Sequence, residues 1–158
     1  LREVGLEGKH LNIEITESVF IDNVDTVCKH MEAIRSMGIG LHLDDFGTGY
    51  SSLSSFHKLP IDAVKIDRSF VANMMLDGRV ANIVQAIQIM ASNRSMKVIA
   101  EGIETIEQLL QLQTLGCECG QGYYMSRPID AVAAQELLKT NSQRLKGGFA
   151  IWPQANAA

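Results

Sequence analysis

Gly40-Leu41-His42-Leu43-Asp44-Asp45-Phe46 reads as a β-strand. Gly47 to Ser52 reads as a Gly/Ser-rich loop entering a short helix near Ser52 to Lys58, and Ala63-Val64-Lys65-Ile66-Asp67 as the next strand. The same alternation extends in both directions. Upstream, Leu11 to Thr16 alternates with the period of a strand, and Val24, Val27, Met31 and Ile34 recur at helical spacing until Gly38 stops the helix. Downstream, Val80, Ile83, Val84 and Ile87 mark a long amphipathic helix, and Lys97 to Glu101 a fourth strand. Thr105 with Gln108 forms a capping-box pattern ahead of a helix carrying Leu109, Leu112 and Leu115. Gly116, a short fifth strand over Cys117 to Tyr123 and a last helix from about Asp130 to Leu138 complete the series.

Five strand-then-helix units in a row predict an α/β fold with a parallel sheet covered by helices. No G-x-G-x-x-G follows the first strand, so a dinucleotide fold of the Rossmann type has no support. A complete (β/α)8 barrel takes about 250 residues, and the 158 residues here suit an incomplete barrel of five βα units. Residues 1–140 are expected to form this barrel portion. From residue 141 to 158 the chain turns polar and Gly/Ala-rich and reads as a tail that could dock through Phe149, Ile151 and Trp152.

The composition, 46% hydrophobic and 20% charged with 13 Gly and 3 Pro, is that of a globular domain and argues against disorder or a coiled coil. No apolar run reaches the roughly 18 residues that cross a bilayer, and Leu1-Arg2-Glu3 begins no signal peptide. The cysteine count is odd, with Cys117 and Cys119 only two apart. A disulfide framework is not expected, the thiols read as small buried hydrophobes, and the setting reads as reducing and cytoplasmic. The net charge of -4 argues against a nucleic-acid polymer as partner. A phosphate ligand would need cations between itself and the acids.

Those acids gather at the C-terminal ends of the strands: Glu14 and Glu17, Asp44 and Asp45, Asp67, then Glu101 and Glu104, with Gln121 on the fifth. Parallel α/β folds build their active sites at this edge. Carboxylates sharing one rim repel one another unless cations neutralise them, and Mg²⁺ or Mn²⁺ favours oxygen ligands of this kind. Asp44-Asp45 has two readings: a helix-capping turn, or a strand end twisted so that both carboxylates join Glu14 and Glu101 around metal. Lys65, mid-strand and costly to bury unpaired, is either ion-paired with Asp67 or a cation near a phosphate or a metal-bound water. The glycines after Asp45 permit positive φ, which alone is weak evidence for a phosphate cradle. His42 reads as a packing residue. His10, His30 and His57 show no metal-ligand spacing, and Met74, Met75, Met90 and Met96 read as core filling. No serine has a His-Asp partner pattern.

Five segments in order carry a family resemblance: Glu14-Ile-Thr-Glu17-Ser18, Asp44-Asp45-Phe-Gly-Thr-Gly-Tyr-Ser-Ser-Leu53, Leu59-Pro-Ile-Asp-Ala-Val-Lys65-Ile-Asp67-Arg68-Ser-Phe70, Ala100-Glu101-Gly102-Ile-Glu104-Thr105 and Gly120-Gln121-Gly122-Tyr-Tyr-Met-Ser-Arg-Pro128. Over residues 11 to about 138 the chain resembles the EAL domain, the cyclic di-GMP phosphodiesterase domain of bacterial signalling proteins. The resemblance implies a (β/α)8-like barrel that hydrolyses cyclic di-GMP to linear pGpG with two divalent cations, Mg²⁺ or Mn²⁺. Glu14, Asp44, Asp45 and Glu101 would be metal ligands, with Asp44 bridging. Lys65 would hold the attacking water, and Glu101 would act at the second metal or as a general base. Glu17 would anchor the loop from Asp45 to Ser52, and Glu104 would support the same rim. Gln121 would contact substrate, and Arg127 and Pro128 would lie near a guanine. A homodimer through helices near that loop, and a fused or controlling sensory or GGDEF domain, are also implied.

The Glu-Ala-Leu string and a downstream Asn ligand of the family would fall ahead of residue 1. The chain therefore reads as the C-terminal portion of such a domain, and residues 1–158 alone are not expected to be a stable, competent monomer. Two other outcomes stand beside the enzyme: a catalytically inactive EAL-type receptor for cyclic di-GMP, and a truncated product with neither property.

Overall fold

Five parallel strands lie side by side in the computed structural model, which describes residues 1–20, 24–47, 56 and 59–142. They are β1 (Asn12–Thr16), β2 (Gly40–Phe46), β3 (Ala63–Ile66), β4 (Lys97–Ala100) and β5 (Cys119–Gly120). Between and after them run α1 (Val24–Ser36), α2 (Arg68–Asn73), α3 (Gly78–Ser92), α4 (Ile106–Thr114) and α5 (Ala131–Ser142). The strand order is the chain order, β1-β2-β3-β4-β5. A doubly wound sheet would reverse direction at a switch point, whereas sequential winding is how a (β/α)8 barrel is built. The described sheet is thus a segment of such a barrel, as the length and the alternating units predict.

The register sorts the strand residues onto two faces. Glu14 pairs with His42, Thr16 with Asp44, Leu43 with Val64 and Lys65 with Ile99. On one face Leu41, Leu43, Val64, Ile66 and Ala100 are completely buried and join Met31 of α1, Val84 and Ile87 of α3, and Leu109 and Leu112 of α4 in one apolar cluster. Full burial of a side chain of this kind stabilises by about 1.5–3 kcal/mol, so this face holds the helices on. The opposite face carries Glu14, His42, Asp44 and Lys65. β3 is central and buried on both faces along its whole length, which is why Lys65 is buried at all.

Local chemistry fixes the helix ends. Thr105 Oγ1 accepts from Gln108 N at 3.3 Å, and Gln108 Oε1 accepts from Thr105 N at 3.1 Å, so the capping box is formed. Asp130 Oδ1 accepts from Ala133 N at 2.8 Å at the start of α5, which runs beyond the expected end at Leu138 to Ser142. α2 is an element that hydrophobic periodicity does not show. It is six residues long and is started by Asp67, whose Oδ1 accepts from Ser69 N at 3.0 Å. β5 is two residues, not the seven from Cys117 to Tyr123, because the chain bends at Gly122 against the backbone of Ile103.

Met74 and Met96 are buried and Met90 packs on the core, but Met75 is 49% exposed and fills no core. Cys117 is buried while Cys28 and Cys119 are half-buried. Burial, with the nearby Cys119 adding to it, pushes the Cys117 thiol up to about 11. His10 and His30 are exposed. Apart from Phe56, which is helical, the helix expected near Ser52 to Lys58 lies outside the described residues, as do His57, Phe149, Ile151 and Trp152.

Two helices end in the same way with different residues. After α4, Cys117 N donates to Leu112 O and Gly116 N to Gln113 O, with Gly116 at φ +87°. After α3, Met96 N donates to Ala91 O and Ser95 N to Ser92 O, with Ser95 at φ +56°. Both are Schellman closures, whose left-handed position suits glycine. Ser95→Gly is therefore expected to stabilise the protein by about 0.5–1 kcal/mol, read as a higher denaturant midpoint at unchanged slope. A loss of stability would contradict the left-handed assignment.

Candidate active site

The acids of β2 reach one place because the strand is irregular. Leu43 pairs with Val64 but Phe46 pairs with Ile66, so β2 carries one extra residue, and Asp45 takes up the slack at φ +53°. In a regular strand neighbouring side chains point to opposite faces. Here the bulge turns Asp45 towards Asp44, and Asp45 N donates to Asp44 Oδ1 at 3.0 Å. Asp44, Asp45 and Glu101 each present a carboxylate oxygen, all within 4.8 Å of one another.

Lys65 stands among these acids. Its Nζ lies 2.8 Å from Glu14 Oε2, 3.0 Å from Asp44 Oδ1 and 2.8 Å from Glu101 Oε1, and its side chain is 6% exposed. The alternative of an ion pair with Asp67 is not what forms. The Asp67 carboxylate is engaged at the start of α2, while the long Lys65 side chain reaches across to β1, β2 and the end of β4. Burial alone would lower the Lys65 pKa, but hydrogen bonds to Glu101, Glu14 and Asp44 outweigh it and hold the ammonium above its ordinary value. Two unit charges 4 Å apart interact by about 4 kcal/mol at an effective dielectric near 20. Three such attractions make the buried cation tenable and offset repulsion among the acids.

Glu101 has a second partner: its Oε1 also accepts from Gln121 Nε2 at 2.8 Å, joining the ends of β4 and β5. Glu17, just after β1, is 7% exposed, and its Oε1 accepts from Gly47 N at 3.0 Å, fastening the exit of β2. Its Oε2 is buried without a hydrogen-bond partner among the described residues. Thr48 to Ser52, the rest of the loop assigned to Glu17, lie outside the described residues. His42 is half-buried next to Glu14 in register. Burial lowers its pKa, and the Glu14 charge offsets this only in part.

Beside the acids opens a groove of about 680 Å³, lined by Asp45, Glu101, Glu104, Gln121, Arg127 and Pro128 among others. Arg127 lays its guanidinium over the Tyr123 ring, 4.8 Å from the centroid. The structure thus brings Asp44, Asp45, Glu101 and Lys65 together, with Glu14 joined through Lys65. It sets Glu104, Gln121, Arg127 and Pro128 along the adjoining groove, and Glu17 behind the loop start. Sequence reading missed the Gln121–Glu101 bond and the Tyr123 ring. An aromatic residue in the Gly120 to Pro128 string was the available signal for the second.

A donor set made only of carboxylate oxygens fits a hard divalent cation. Asp44, Asp45 and Glu101 are the described His, Cys, Asp and Glu residues that converge in this way. The architecture and the site define an acid-rimmed barrel segment with a buried lysine at the C-terminal ends of its strands.

Residues 1–128 match the family described as EAL domain. The chain is 43% identical over 139 residues to the cyclic di-GMP phosphodiesterase NbdA of Pseudomonas aeruginosa, covering 88% of this chain and 18% of that protein. A solved PaMucR phosphodiesterase in complex with c-di-GMP superposes with a TM-score of 0.81 at 40% identity, over 85% of this chain and 54% of that one. Klebsiella pneumoniae BlrP1, solved as a manganese/cy-diGMP complex, gives a TM-score of 0.76 at 35% identity, over 81% of this chain and 33% of that one. The chain therefore belongs to the EAL domain family. It spans less than a fifth of the NbdA length and about half of the solved PaMucR chain. Among the described residues no helix is long and apolar enough to cross a membrane.

Proposed function

We propose that this chain contributes the metal-binding rim of a cyclic di-GMP phosphodiesterase that cleaves its substrate to linear pGpG. The observation that carries the reading is the meeting of Asp44, Asp45 and Glu101 around the buried ammonium of Lys65. Glu14, Asp44, Asp45 and Glu101 would hold two divalent cations, Mg²⁺ or Mn²⁺. When bound, such ions shield the phosphodiester charge and lower the pKa of a water nucleophile. Lys65 orients that water. Glu101, kept in position by Gln121, serves either as a ligand or as the general base. Arg127 and Pro128, with the Tyr123 ring beside them, accept a guanine, while Glu17 and Glu104 hold the rim in shape. The barrel portion covers residues 1–140 and the tail 141–158, and the protein forms a homodimer, is controlled by a sensory or GGDEF domain and works in the cytoplasm.

The test uses the protein that carries this chain. Chelation is expected to stop cyclic di-GMP hydrolysis, followed by chromatography of the nucleotides. Mg²⁺ or Mn²⁺ should restore it, whereas Ca²⁺, larger and more loosely coordinated, should bind and inhibit. Hydrolysis that survives exhaustive chelation would remove the metal mechanism. Nucleotide binding without any hydrolysis would assign the inactive receptor instead.

A further inference from the structure

A lysine ammonium has three N–H donors and no acceptor. In Lys65 the three nearest acceptors are three different carboxylates, on Glu14, Asp44 and Glu101, at 2.8, 3.0 and 2.8 Å. The ammonium is saturated, and at 5% exposure the residue offers little room for water to take over a bond. Two of its partners, Asp44 and Glu101, also belong to the group whose oxygens converge with Asp45 within 4.8 Å. Two of the three groups that fix Lys65 are therefore groups that a divalent cation would need.

We propose that Lys65 is the resident counter-cation of the rim: its ammonium holds Glu14, Asp44 and Glu101 together in the cation-free protein and competes with an incoming divalent ion for the same carboxylates. This rests on the reading that the rim binds such ions, and it adds a control on loading. Cation entry requires at least one Lys65 pair to loosen. The freed N–H then becomes available to a water or a phosphate oxygen, so nucleophile positioning follows cation loading. Metal affinity is set lower than the carboxylates alone would give, in exchange for a rim that stays assembled without metal.

Titration of the protein carrying this chain with Mn²⁺ alone, by calorimetry and without nucleotide, separates the possibilities. Lys65→Met removes the competing charge at similar length and is expected to bind Mn²⁺ about tenfold or more tightly, a gain of about 1.4 kcal/mol per decade. The cation-free Lys65→Met protein should melt lower than wild type and regain more on adding Mn²⁺. Lys65→Arg, which keeps the charge, should bind close to wild type. Equal or weaker Mn²⁺ binding by folded Lys65→Met would overturn the proposal and make Lys65 an organiser of the ligands.

Should Lys65→Met fail to fold, the wild-type protein still decides. The Lys65 Nζ ammonium signal in nitrogen-15 NMR should be protected from exchange without cations and should shift or exchange faster as Mg²⁺ saturates. An unchanged signal at saturation would overturn the proposal. Absence of Mn²⁺ binding by wild type would instead refute the metal reading itself. Asp45→Asn, which alters a converging acid outside the Lys65 set, checks that a measured wild-type affinity belongs to the rim.

Discussion

Replacing Asp44 by Asn is expected to lower the kcat of cyclic di-GMP hydrolysis by at least about a hundredfold while leaving the fold intact. The substitution keeps the shape of the side chain and an oxygen that can still face Lys65 Nζ and the amide of Asp45. It removes one negative charge from the middle of the rim, where Asp44 is both an ion-pair partner of Lys65 and a member of the converging acids. A neutral amide oxygen is a poor substitute for a carboxylate as a ligand for a hard cation. Because Asp44 is half-buried and lies on the face away from the apolar cluster, the thermal midpoint should move little. Turnover within tenfold of wild type at saturating Mg²⁺ would exclude Asp44 from the metal-holding set.

The second large effect concerns a residue with no side chain. A Cβ on Gly122 would stand 2.1 Å from Ile103 O, 2.2 Å from Ile103 N and 2.7 Å from Ile103 C. These are backbone atoms, so no rotamer change relieves the clash. The two segments are also joined by hydrogen bonds, Ile103 N to Gln121 O at 3.2 Å and Tyr124 N to Ile103 O at 2.9 Å. Gly122→Ala must break that seam and is expected to cost more than about 3 kcal/mol, measured by denaturant unfolding. It should also displace Gln121 from Glu101, so any folded fraction should turn over slowly. Gly78→Ala is the control: nothing lies within 4 Å of its Cβ, and no loss is expected. Equal stability of the two variants would refute the close approach at Gly122.

The sheet was legible because its strands alternate cleanly. Gly40 to Phe46 has the same limits when read from the sequence as in the structure, and Thr105 with Gln108 marks its helix start correctly. α2 was not legible because six residues give less than two turns of periodicity, and its signal, Asp67 two residues before Ser69, was absorbed into the preceding strand. β5 was over-read because Cys117 to Tyr123 has strand-like composition, whereas the bend at Gly122 is imposed by Ile103, nineteen residues earlier in the sequence. The site was legible as a list of acids at strand ends. Its geometry was not, because the Asp45 bulge depends on the register between β2 and β3, and the Lys65 pairs cross from β3 to β1, β2 and the end of β4. Neither can be computed from spacing along one strand.

The two-faced sheet also determines how the domain can change over time. Along β2, Leu41 and Leu43 face the apolar cluster, while Gly40, His42 and Asp44 alternate with them on the other side. Stability and chemistry are thus written on interleaved positions of the same strand. Chains randomised at positions 42 and 44 should still yield soluble protein, whereas randomisation at 41 and 43 should mostly yield aggregates. Descendants can therefore lose the proposed catalysis in single steps and persist as folded scaffolds, available for new ligands.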